Sequence, residues 1–78
     1  MSKILKNQTD FAVEIVDVGV TIKANGSYTI PPQDYARFAA SSGVIRAMSQ
    51  GLVVLNDGGN DIPVLSDAVN IMKNWCFH

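Results

Sequence analysis

From Phe11 onward the chain alternates apolar and polar residues, and at Pro31-Pro32 the alternation stops. Phe11, Val13 and Ile15 share one face of an extended segment, while Ala12, Glu14, Val16 and Val18 share the other. With β-branched residues at 13, 15, 16 and 18, the run 11–18 reads as a strand. Gly19 interrupts it as a bulge or bend does. Val20, Ile22 and Ala24 carry the period on to Asn25-Gly26, and Tyr28-Thr29-Ile30 resumes it. An Asn-Gly pair between alternating runs signals a hairpin, because both residues tolerate the positive φ of a type I′ turn. A hairpin is therefore expected over 20–30, turned by Asn25 and Gly26. Proline has no N–H for a sheet ladder and suits the first turn of a helix, so the sheet must give way at 31–32.

Beyond the prolines the period lengthens. Tyr35, Phe38 and Ala39 fall at i, i+3 and i+4, which predicts a short helix over 33–40 with one apolar side. Ser41-Ser42 offers a cap for a second helix over 43–50, with Val44, Ile45 and Met48 inward and Gly51 just past its end. Leu52, Val53, Val54 and Leu55 form an apolar run without alternation, read as a strand covered on both faces by the domain or by a neighbouring chain. Ile62 to Leu65 returns beside it, and Pro63 confines that return to an edge. Ser66 or Asp67 is expected to cap a last helix that runs to Lys73 or Asn74, with Val69, Met72 and Trp75 on its apolar side. Residues 1–9 show no such pattern and are read as an arm whose order the sequence leaves open. The whole reads as one α+β domain over 1–78: a small antiparallel sheet of hairpins near 11–30 and 52–65, with short helices packed on one side.

A chain of 78 residues buries only roughly 60–65% of the surface its unfolded form exposes, so its core is marginal. Small domains add disulfides, metals or self-association. The single cysteine, Cys76, excludes an internal disulfide. Apolar residues make up 47% of the chain and charged residues 17%, a balance that suits a surface partly covered by a partner. A homo-oligomer is the expectation. The net charge is −1 and the cations at Lys3, Lys6, Lys23, Arg37, Arg46 and Lys73 are scattered. Without a basic stripe to replace phosphate counterions, nucleic acid is not an expected partner. No apolar run approaches a membrane span and no secretory leader follows Met1, so no membrane is expected and a protein made in the cytoplasm is. Asn7-Gln8-Thr9 and Asn25-Gly26-Ser27 match the glycosylation pattern, without consequence in the absence of a secretory route.

The residues most suggestive of chemistry are Asn56-Asp57-Gly58-Gly59-Asn60-Asp61. A calcium loop of the EF-hand type needs oxygen ligands at alternate positions, glycine at the sixth and glutamate at the twelfth. Here the glycines are adjacent and no glutamate follows. A phosphate cradle leads directly into a helix with a basic residue nearby, whereas this loop leads into Asp61-Ile62-Pro63. A hairpin turn built on Asp57, Gly58 and Gly59 accounts for the segment better. Cys76 and His78 are each zinc ligands, but the chain has no second pair to complete a site, leaving only one shared between subunits. Ser41-Ser42-Gly43 lacks a nucleophile-elbow context and His78 is the only histidine. No catalytic residue, metal site or cofactor is assigned, and the chain is read as a non-enzyme.

The run Asp17 to Tyr35, DVGVTIKANGSYTIPPQDY, resembles a segment of small structural proteins from tailed bacteriophages and prophages. In these, a strand ending in an acidic residue and Gly-Val-Thr-Ile leads through Gly-Ser-Tyr-Thr-Ile-Pro into a helix near Asp-Tyr. Leu52 to Gly58 and Ser66 to Met72 are similar to the strand, turn and helix that end such proteins. Together the two regions cover most of the chain after residue 10. The resemblance implies a virion component of head, neck or tail that self-associates and docks on other virion proteins. It carries over no functional residue. The contact elements expected from the residues are the strand Leu52, Val53, Val54 and Leu55, the helix side bearing Tyr35 and Phe38, and the tail Trp75, Cys76 and Phe77. The competing expectation is a small intracellular binding module, such as a phage-encoded inhibitor that caps a host protein. An enzyme using the Asn56–Asp61 loop with a divalent ion ranks third.

Overall fold

Lys3–Asn7, in the segment that lacked a pattern in the sequence, forms the strand around which the rest is built. In the computed structural model, which describes residues 3–75, the order is β1 (Lys3–Asn7), β2 (Val13–Ile15), β3 (Val20–Ile22), β4 (Ser27–Thr29), α1 (Tyr35–Ala39), α2 (Ser42–Ser49), β5 (Val53–Asp57), β6 (Asn60–Ile62) and α3 (Leu65–Asn74). The main sheet has the order β4-β1-β5-β6 and all its pairings are antiparallel. β2 and β3 pair separately as a two-stranded ribbon. The fold is α+β, as expected, with a different strand pairing in its first half.

The expected hairpin over 20–30 does not form. β3 pairs with β2, Ile15 opposite Val20, and β4 pairs with β1, Leu5 opposite Tyr28. The reversal lies earlier: Val16–Val18 is a 3-10 turn, closed by Gly19 N–H donating to Val16 O at 3.1 Å, with Gly19 at φ 67°. The expected strand over 11–18 therefore shortens to Val13–Ile15, and Phe11 stays 54% exposed. At the second reversal Gly26 N–H donates to Lys23 O at 2.8 Å, so Ala24 and Asn25 are the central residues. Asn25 takes φ 56° and Gly26 takes no positive φ, whereas a type I′ turn needs positive φ at both central positions. The chain thus leaves the ribbon and joins the main sheet.

In the second half some sequence signals hold, but the return strand is β6 over Asn60–Ile62 and not 62–65: Pro63, with no N–H, follows its end, and Leu65 already begins α3. Ser41 Oγ accepts from Val44 N at 3.1 Å and caps α2. At the other end Leu52 N–H donates to Ala47 O and Gly51 N–H to Met48 O, a Schellman closure with Gly51 at φ 75°. That closure feeds the chain straight into β5. Asp57 and Asn60 then face each other across Gly58 and Gly59, both at positive φ, which makes the acidic glycine-rich segment a two-residue hairpin turn. α3 starts at Leu65 with Val64 as its N-cap and no side-chain cap, so neither Ser66 nor Asp67 has the expected capping role.

The helices cover one face of the main sheet. Leu5 and Leu55, directly opposite on β1 and β5, are both 0% exposed beneath Phe38, Val44 and Met72. Val13, Ile15, Val20 and Ile22 of the ribbon join the same core. At 25 cal/mol per Å² each large side chain contributes about 1.5–3 kcal/mol on burial, and no single element of this size would be stable without the others.

Candidate interaction surface

The expected contact residues are mostly core. Val53, Val54 and Leu55 are 2%, 5% and 0% exposed, and Phe38 is fully buried. Both faces of β5 are covered, and the chain supplies the cover: Val53 and Leu55 pack in the core, and Val54 lies opposite Lys6 on the other face. Leu52 and Tyr35 are half-buried against the core cluster. Trp75 lies against Tyr35 with ring centroids 5.1 Å apart, and the Lys3 ammonium sits 5.5 Å from the Tyr35 ring and 5.6 Å from the Trp75 ring. Lys3 Nζ also meets Asp57 Oδ1 at 3.0 Å, across the strand pair that places these residues opposite each other. Lys3, Tyr35, Trp75 and Asp57 thus close one end of the core. Cys76, Phe77 and His78 lie outside the described residues.

The acidic loop is equally occupied. Asp57 is held by Lys3, and Asp61 accepts from Asn56 Nδ2 at 2.7 Å and from Lys6 Nζ at 3.3 Å. The hydrogen bond from Asn56, with that from Lys6, keeps the Asp61 carboxyl below its ordinary range. Asn56 Oδ1 in turn accepts from Gly59 N. These contacts tie the hairpin turn to β1 and to its own strands. Among the described residues no group of three or more His, Cys, Asp or Glu side chains comes together.

Asp17 is a structural anchor. Its Oδ2 accepts from Gly43 N at 2.7 Å and from Ser41 Oγ and Ser42 Oγ at 3.2 Å each. A carboxylate at a helix N-terminus meets unpaired N–H groups and the positive end of the helix dipole. The Gly43 N–H above all, then the two hydroxyls and the charge of Arg46, hold its carboxyl below the ordinary value. The ribbon is thereby pinned to α2. Beside it lies an open cleft of ≈ 230 Å³ lined by Glu14, Val16, Asp17, Arg46, Gln50 and Leu52 among others, with Val16 78% exposed at its rim.

Two sheet edges remain, and they differ. Gln8 N–H donates to Leu52 O, so the even-numbered residues of β5 face β1 and the odd-numbered ones face β6. By the same alternation Asn60 and Ile62 face β5, while Asp61 and Pro63 turn outward. Pro63 has no N–H and Asp61 carries a charge, so this edge is blunted. On β4, Gly26 O accepts from Asn7 N and Ile30 N–H donates to Lys3 O, both at 2.8 Å. Even-numbered residues therefore face β1, and Ser27 and Thr29 direct both their backbone groups outward. No charge or proline lies within β4. Sequence reasoning missed this edge because it expected β4 to be paired with β3.

Among the described residues no helix is long and apolar enough to cross a membrane. No family model, curated protein or solved structure matches the chain.

Proposed function

We propose that this chain is a non-enzymatic structural protein of a tailed-phage or prophage particle, a head, neck or tail component that self-associates and docks on other virion subunits. The observation that carries the self-association is the exposed edge of β4, three residues long and free of charge and proline. A strand edge without charge, proline or cover is a template for another strand, and proteins that stay monomeric usually block it. The stretch Asp17 to Tyr35, which bears the resemblance to phage proteins, includes this strand. A small domain with a marginal core also gains stability whenever a partner binds its folded form.

A second reading, a module that caps a host protein, is favoured by the cleft between β2 and α2, where Arg46 and Glu14 flank an apolar wall. Light scattering over a concentration series separates the two. Growth in mass with concentration supports assembly, and a strict monomer that retains a host protein through the cleft supports the second. Capsid and tail genes beside the coding sequence would support the particle assignment, and a neighbourhood without them would count against it.

A further inference from the structure

We infer that two copies of this chain pair through β4, antiparallel about a two-fold axis at Tyr28, so that two four-stranded sheets become one continuous sheet. The inference rests on the self-association proposed above and names its surface and register.

The register follows from which backbone groups are free. Ser27 and Thr29 point outward, and on either side the ladder ends. Asn25 N–H is already donated to Thr9 O at 2.9 Å, and Pro31 has none to give. Only two residues on each copy can therefore exchange bonds. With the axis at Tyr28, Ser27 faces Thr29 of the second copy and Thr29 faces its Ser27, and each pair exchanges both N–H···O bonds. An axis at Ser27 or at Thr29 would leave only one residue of each copy able to exchange both N–H···O bonds. The ends of the ladder thus pin the register, which short neutral strands otherwise leave free to slip.

The side chains agree with that register. Tyr28 stacks on Phe38 at 5.8 Å with planes 9° apart, which puts it on the helix-covered face. Across the axis it meets Tyr28 of the second copy at a non-hydrogen-bonded position, where side chains approach most closely. Ser27 and Thr29 are exposed on the opposite face and meet hydroxyl to hydroxyl. Aromatic pairs and Ser/Thr pairs are both favourable cross-strand combinations, and no like charges are opposed.

So short an edge belongs to the weak class of interfaces, with dissociation expected at roughly 0.1–1 mM, suited to copies held together by further subunits. The test is sedimentation of the full chain from about 20 μM to about 1 mM, a range that brackets that constant, for the natural sequence and for Thr29→Pro. Proline at 29 removes an outward N–H and no bond to β1. A dimer that forms with rising concentration and is lost in Thr29→Pro, with unchanged circular dichroism, supports the pairing. Association that survives Thr29→Pro overturns the β4 interface and leaves self-association standing. A natural chain that stays monomeric throughout overturns both. If Thr29→Pro does not fold, Thr29→Lys, an exposed change that opposes charge to the edge, gives the same three readings.

Discussion

Replacing Asn7 with alanine removes a side chain that hydrogen-bonds the main sheet to the ribbon. Asn7 is 4% exposed, and its Nδ2 donates to Phe11 O at 2.9 Å and to Ile22 O and Lys23 O at 3.0 Å. Its Oδ1 accepts from Thr9 N at 2.8 Å and Thr9 Oγ at 2.6 Å. Some of these partners are not orphaned by the change: the one Thr9 hydroxyl hydrogen, released from Asn7 Oδ1, is free to serve Phe11 O at 2.7 Å, and Lys23 O keeps Gly26 N–H. Thr9 N–H loses its acceptor, and Ile22 O loses a buried donor. Each net hydrogen bond is worth about 0.5–1.5 kcal/mol and each stranded buried group about 1–3, so a loss of about 2–4 kcal/mol is expected. For a chain of this length total stability is roughly 4–12 kcal/mol, so the variant should unfold about 10–25 °C lower. Thr9→Ser, which keeps the hydroxyl and the backbone N–H that bond Asn7, is the control and should cost less than Asn7→Ala. Urea unfolding followed by circular dichroism measures both. A loss below about 0.5 kcal/mol for Asn7→Ala, the level of an ordinary surface change, would refute the role assigned to this amide.

Leu55→Ala, at a fully buried position opposite Leu5, should cost about 2–5 kcal/mol in the same unfolding assay, the range for a core cavity. Gly51→Ala should cost about 1 kcal/mol, because the residue sits at φ 75° and an added Cβ would meet nothing within 4 Å, leaving conformation as the only penalty. For Asp17 the folded carboxyl titrates below its unfolded value, so its stabilising contribution is complete above the ordinary carboxylate range and is lost as pH falls through the lower folded value. Melting curves of the natural chain and Asp17→Asn should therefore differ at neutral pH and converge in acid. A constant gap down to about pH 2, below the ordinary aspartate value, would sink the anchor.

The legibility of this chain divides at Pro31. In the second half local signals and tertiary structure coincide at α2, whose ends Ser41 and Gly51 mark, and at glycines 58 and 59, which serve a tight hairpin, but not at β6, which ends at Ile62, or at the start of α3. In the first half they conflict. Val16 and Val18 look like strand residues, yet with Asp17 between them they form the turn that lets Asp17 reach α2. β1 escaped detection because its core-facing residues are Lys3, Leu5 and Asn7, two of them polar. One is stacked under aromatic rings and the other is bonded to backbone carbonyls, so hydrophobic alternation is absent from a strand inside the main sheet. The same gap hid the interaction surface. Once β1 takes the place beside β4 that β3 was expected to fill, Phe38, Val53, Val54, Leu55 and Trp75, singled out as contacts, are buried, and the neutral Ser27-Tyr28-Thr29 edge is left outside.

Amide hydrogen exchange by NMR reads that edge residue by residue. In dilute protein the Ser27 and Thr29 amides, which have no partner among the described residues, should exchange quickly, as should the outward amide of Asp61. Near 1 mM, about the weakest dissociation constant expected of such an interface, Ser27 and Thr29 should gain protection while Asp61 stays unchanged. Exchange at Ser27 and Thr29 that is independent of concentration would contradict pairing through β4.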